Sequence, residues 1–99
     1  MTVKINSVHF KTDRKLDEFI EAKIDKLNKF FDALHDCEVI LKVENSDDLE
    51  NKTAEIRLEV PGSSLFAKKQ SDSFEESVTL ATEALRRQLL KRKNKLRSR

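Results

Sequence analysis

Between Thr53 and Val60, apolar and polar residues alternate without a break. Ala54, Ile56, Leu58 and Val60 fall on one side, and Glu55, Arg57 and Glu59 on the other, the pattern of a strand with one buried and one solvated face. A sheet built around such a strand needs cover on one side only. Any helices in the chain are therefore expected to share that side.

Three further strands are predicted around it. Cys37–Glu44 places Val39, Leu41 and Val43 on one face, and a shorter strand from about Ser64 to Gln70 turns Leu65 and Ala67 inward after the turn signal Pro61–Gly62. Thr2–Phe10 reads as the fourth. Its apolar phase shifts from Val3 and Ile5 to Val8 and Phe10, so a bulge near Asn6–Ser7 is expected to join the halves. Asn45–Lys52 is polar and acidic and reads as a loop.

Two segments carry helical spacing. Leu16, Phe19, Ile20, Lys23, Ile24, Leu27, Phe30, Phe31 and Leu34 recur at three and four residues, and only Lys23 among them is not apolar. Asp13 is the expected N-cap, with Asp17 and Glu18 suited to the positive end of the helix dipole. Lys23, Lys26 and Lys29 lie on or beside the stripe, where their stems can cover apolar surface and their ammonium groups reach its edge. The second helix is expected from about residue 73 to 97. Ser73 with Glu76 forms a capping box, and Phe74, Val78, Ala81, Leu85, Leu89 and Leu96 share a seam. The order β-α-β-β-β-α predicts an α+β domain: a four-stranded sheet with two helices packed on one face, like a double-stranded-RNA-binding domain. Residues 1–99 are expected to form that one domain.

An apolar content of 37% against 38% charged residues would suit a disordered chain, but the periodicity and the single glycine and single proline argue against one. No stretch approaches the roughly 20 apolar residues of a membrane span, and no signal-peptide pattern is present, so a cytoplasmic location is expected. The lone Cys37 fits a reducing compartment and reads as a packing residue.

Catalysis finds little support in the residues. His9 and His35 have no partners at metal-ligand spacing, one glycine cannot build a phosphate loop, and Ser63–Ser64 has no nearby histidine. Asp47–Asp48 reads as a solvated loop pair. Neither an enzyme nor a metal or cofactor is expected.

The charge distribution points elsewhere. No Asp or Glu follows Glu83, and the last 16 residues carry +8 against −6 on the first 83. Around the predicted helix, Arg86, Lys93 and Arg97 flank the leucine stripe on one side, and Arg87, Lys91 and Lys95 on the other; Arg92 joins them. A solvated helix end accounts for two or three cations, not for eight with no Asp or Glu among them. A membrane-surface helix would need bulky aromatic residues on its apolar face, and sequence-specific DNA reading would need a helix-turn-helix or dimer motif. Phosphate- and shape-directed binding to folded RNA is expected instead, with steep salt dependence. Exposed aromatics for base stacking are expected to be scarce, because the six phenylalanines fall mostly at core positions.

The runs LDEFIEAKIDKLNKFFDAL from Leu16, VILKVE from Val39, AEIRLEVPG from Ala54 and RRQLLKRKNKLRSR from Arg86 resemble the bacterial ribosome hibernation promoting factors. These are also known as ribosome-associated inhibitors or sigma-54 modulation proteins. The resemblance covers nearly the whole chain in order, most specifically in its final run. It implies a cytoplasmic, non-catalytic protein that binds the small ribosomal subunit between head and body. There it would block messenger RNA and the A- and P-site transfer RNAs and silence translation under starvation or in stationary phase. By the resemblance, RNA contacts fall on Lys23, Lys26, Arg87, Lys91, Lys93 and Lys95; helical geometry adds Arg86, Arg92 and Arg97. The short family type is implied, with an isolated protein expected to be monomeric. In Ser73–Thr79 the usual family tyrosine is replaced by Glu75 and the second aspartate by Thr79. The alternative reading is a transcription-linked regulator that binds a protein partner such as a sigma factor.

Overall fold

The computed structural model describes residues 2–31, 34–44 and 50–97, with side chains to Lys93. The elements run β1 (Thr2–Val8), α1 (Arg14–Phe30), β2 (Asp36–Val43), β3 (Lys52–Val60), β4 (Ser63–Ser71) and α2 (Phe74–Arg97). The strands lie in the order β1-β2-β3-β4, with β1 parallel to β2 and the other pairs antiparallel. The parallel step requires the long α1 crossover, whereas β3 and β4 are joined through Pro61–Gly62. Gly62 has a φ of 75°, which L side chains rarely adopt, so the glycine closes this two-residue turn without strain.

Register carries the apolar face across the sheet. Ile5, Val39, Ile56 and Ala67 form one continuous row of partners, flanked by the Cys37–Leu58–Leu65 row. Ile20, Ile24 and Leu27 of α1 and Val78, Ala81, Leu85 and Leu89 of α2 pack with these rows in one core. Both helices therefore cover the same face, as the alternation in β3 demands. Burying each large aliphatic side chain of this core contributes about 1.5–3 kcal/mol relative to leaving it exposed.

Four local expectations differ from the structure. β1 pairs with β2 in unbroken register from Thr2 to Val8 and ends there, without the bulge. His9 instead adopts a φ of 64° and turns the chain. Val8 is consequently exposed, while Phe10 leaves the sheet and stacks on Phe74 with ring centroids 5.0 Å apart. α1 stops at Phe30; Phe31 is its C-cap, and Leu34 reaches the core from the connecting segment. Val43 sits in the last register row of β2 and stays exposed, because its row partner is Lys52 and not an apolar residue.

The fourth difference lies at the start of α2. The backbone N–H of Glu76 donates to Ser73 Oγ at 3.1 Å, but Ser73 N–H turns to Ser71 Oγ and not to the Glu76 side chain. The box is thus half made. Ser71 completes it from the end of β4 and also meets the buried Ser77 hydroxyl at 2.8 Å. Residues 45–49 of the expected acidic loop, including Asp47–Asp48, lie outside the described residues.

Candidate nucleic-acid interface

Asp13 fixes the start of α1. Its carboxylate accepts from the Leu16 N–H at 2.8 Å, and its carbonyl accepts from Asp17. From that start, the three-residue spacing brings Lys23 and Lys26 to the side of α1 that meets α2. Lys23 is half-buried, with Nζ 5.4 Å from the Phe19 ring centroid, while Lys26 is exposed. The stem of Lys23 closes the edge of the core and its charge stays outside.

α2 supplies the opposite wall. Its Val78–Leu89 seam faces the sheet, which sets Thr79, Thr82, Glu83 and Arg86 toward α1. With Lys23, Lys26, Leu27 and Phe30 they line an open groove of about 250 Å³ between the helices. Thr79 donates its hydroxyl proton to the Glu75 carbonyl, and Thr82 donates to the Thr79 carbonyl. Both hydroxyls spend their protons on the helix backbone, which leaves oxygen lone pairs as their remaining capacity. Thr79, one of the two departures from the family pattern, thus puts a neutral group in a wall whose charges are Glu83 and Arg86.

The end of α1 is bordered by cations of α2. The Arg86 guanidinium lies 5.2 Å from the Phe30 ring centroid, and Lys93 Nζ lies 5.9 Å from that of Phe31. Each cation faces an electron-rich ring, and Lys29 adds a charge in the last turn of α1, where the helix dipole is negative. Positive charge can collect here at low cost to the fold.

The sequence-predicted residues therefore separate by position. Lys23, Lys26 and Arg86 share the groove, and Lys93 stands over Phe31. Arg87 and Lys91 are exposed on the outer surface of α2. Arg92 reaches the β3–β4 turn, where Nη2 donates to the Pro61 carbonyl at 2.6 Å; one turn earlier, Gln88 donates to the Phe66 carbonyl at 3.0 Å. Lys95 and Arg97 fall within the α2 backbone, but their side chains lie outside the described residues.

Phe30, Thr79, Thr82 and Glu83 join the groove without a signal in the charge pattern. Phe30 is 54% exposed and Phe66 is 48% exposed, so two of the six phenylalanines lie open to solvent and not in the core. The adjacent pair Phe30–Phe31 was the available signal, since a helix end seldom buries two consecutive side chains equally.

Fold and charge together define a small α+β protein whose cationic two-helix face suits a polyanion. Residues 3–97 match the family described as Sigma 54 modulation protein / S30EA ribosomal protein, and the chain belongs to that family. It is 30% identical over 97 residues to the ribosome hibernation promoting factor of Escherichia coli (strain K12), covering 98% of each chain. It is 29% identical over 98 residues to the factor of that name from Pseudomonas putida, covering 99% of this chain and 92% of the relative.

Solved structures share the fold. A ribosomal subunit interface protein from Coxiella burnetii matches with a TM-score of 0.85 and 23% identity, over 95% of this chain and 99% of that one. The N-terminal domain of Thermus thermophilus Protein Y matches with a TM-score of 0.76 and 18% identity, over 89% and 94%. The expected β-α-β-β-β-α architecture and the family resemblance both hold.

Proposed function

We propose that the protein is a non-catalytic ribosome hibernation factor whose two-helix cationic face lies along RNA of the small ribosomal subunit. It would occupy the decoding channel, exclude messenger RNA and A- and P-site transfer RNA, and silence translation under starvation or in stationary phase. The names of its relatives support the ribosome as partner. The observation that carries the RNA-binding surface is the gathering of Lys23, Lys26 and Arg86 from two helices into one groove, continued by Arg87 and Lys91 along α2. Lys93, Lys95 and Arg97 extend that surface in this reading, while Arg92 acts through the turn it holds. Contacts to phosphate and ribose need no cofactor and no acid–base pair. The protein would act in the cytoplasm as a monomer.

Sucrose-gradient sedimentation of purified ribosomes with the protein tests this reading. Co-migration with the small subunit at about physiological salt, reduced by prior loading of messenger and transfer RNA, is the expected result. Failure to co-migrate would sink it. The sigma-54 half of the family description keeps a protein partner in view, and pull-down from lysate separates the two. Ribosomal RNA and proteins support the first reading, whereas a sigma factor without RNA supports the second.

A further inference from the structure

We propose that the Phe30–Arg86 pair is a stacking platform for a single unstacked nucleobase of an RNA strand, with Lys23 and Lys26 holding the phosphates beside it. This rests on the RNA-binding reading above and specifies one contact within it. Phe30 has the greatest exposure of any large apolar side chain among the described residues, at 54%. That exposure is counted with the Arg86 guanidinium already 5.2 Å from its ring centroid, so ring surface remains open beside the cation. Its neighbour Phe31 is half-buried and packs on the core, so Phe30 is not needed there.

The chemistry of the groove fits a whole nucleotide better than a bare phosphate. Three cations, Lys23, Lys26 and Arg86, favour an anionic backbone. The same groove holds the Glu83 carboxylate, which makes no ion pair among the described residues. A carboxylate repels phosphate but accepts hydrogen bonds from a base's exocyclic amine, and the Thr79 and Thr82 oxygens can accept as well. An aromatic ring and a guanidinium plane are the surfaces on which unstacked bases rest in RNA complexes. Charge complementarity thus selects a nucleic acid, and the acceptor set and open ring select its base.

The chain has no tryptophan and no tyrosine, so Phe30→Trp introduces a single indole reporter at the platform. This full-length variant is titrated with an oligoadenylate of about six nucleotides and with an abasic oligoribonucleotide of the same length and charge. The adenylate is expected to quench the indole emission and the abasic strand to leave it unchanged. Phe30→Leu is expected to weaken adenylate binding about tenfold while abasic binding stays as in the wild type. Its thermal midpoint, measured alongside, is expected to remain near the wild-type value. Equal wild-type affinity for both strands, or an unweakened Phe30→Leu variant, would overturn the platform. Ribosome co-sedimentation would then still stand or fall on its own: binding to small subunits without base-dependent binding rejects the platform alone, and loss of both rejects the two readings together.

Discussion

Arg92, on the α2 helix, donates from Nη2 to the backbone carbonyl of Pro61 at 2.6 Å, tying the basic helix to the turn between β3 and β4. The bond spans 31 residues of sequence and joins an element of the proposed RNA surface to the sheet beneath it. One turn earlier, Gln88 holds the Phe66 carbonyl of β4. The flank of α2 next to β4 is therefore used for the fold, and the flank next to α1 carries the groove.

Arg92→Ala is expected to lower stability by up to about 1 kcal/mol, since the lost charge-assisted bond is solvent-accessible. For a domain of this size that is a fall in Tm of about 4–8 °C. Lys91→Ala, one residue away and exposed, should leave Tm within about 2–4 °C of the wild type, as isolated surface substitutions do. Thermal melts followed by circular dichroism distinguish them. Equal Tm values for the two variants would mean that the Arg92–Pro61 bond contributes nothing to the fold.

Ser77 is fully buried and donates its hydroxyl to the Lys52 carbonyl at 2.6 Å while meeting Ser71 Oγ at 2.8 Å. Ser77→Ala removes that donor and leaves the Lys52 carbonyl short of it. A cost of about 1–3 kcal/mol in urea-unfolding free energy is expected, with the slope unchanged. Ser73→Ala should cost about 1 kcal/mol, by losing only the helix cap to the Glu76 N–H.

The contrast between these serines shows what local pattern can reveal. Ser73 is legible because a cap depends on its own neighbours, and Asp13 is legible for the same reason. The Ala54–Val60 alternation and the Phe74–Leu89 seam are equally local, and they predict the one-sided sheet and both helices. Ser77, Arg92 and Gln88 act through partners 22–31 residues away, which no periodicity reports. The groove belongs to the same class. Lys23 and Arg86 are visible separately as cations on helices, but Phe30 becomes a surface residue only because α1 ends there. The phase shift in β1 misled for a related reason: Phe10 is apolar because it stacks on Phe74, not because it continues a strand.

The start of α2 sets a pH dependence of definite sign. The Asp72 carboxyl, by sharing a hydrogen bond and then by its charge, raises the Glu76 pKa above the ordinary carboxylate range; slight burial and Glu50 push the same way. A raised acid binds its proton more tightly in the folded chain than in the unfolded one. Its contribution therefore favours folding below the ordinary glutamate pKa and is lost as pH rises through the raised value. Asp72→Asn removes the main cause. Its Tm relative to wild type should increase between about pH 4 and pH 7. A difference that stays flat or declines across that interval would show that these carboxyls do not oppose one another.

Cys37 reports on opening of the sheet. Its side chain is 2% exposed beneath the helices, and burial, helped by the Glu38 charge, pushes its thiol up to about 12. The folded chain thus offers almost no thiolate at mildly alkaline pH, and the sulfur is screened from reagent as well. Labelling by an aromatic disulfide at about pH 8 should be slow in buffer and complete in denaturant. Ser77→Ala should accelerate it by the factor its lost stability adds to the unfolding equilibrium, about tenfold for each 1.4 kcal/mol, if labelling proceeds through global unfolding. Prompt stoichiometric labelling of the native protein would contradict this packing.

The outer cations of α2 should affect binding without affecting the fold. Arg87 and Lys91 are exposed, and neither makes an ion pair among the described residues, although Glu83 lies one turn before Arg87. Neutralising either one is expected to lower the slope of log affinity against log salt by about 0.7–0.9 for each phosphate left without its cation. Lys91→Glu with Lys95→Glu should abolish co-sedimentation with the small subunit at about physiological salt and leave Tm nearly unchanged. Arg92→Ala should do the reverse, lowering Tm with little change in the salt slope. If the charge reversals unfolded the chain, these lysines would be serving the fold. If Arg92→Ala lowered the salt slope as much as Arg87→Ala does, at unchanged Tm, its guanidinium would be leaving Pro61 for phosphate on the ribosome.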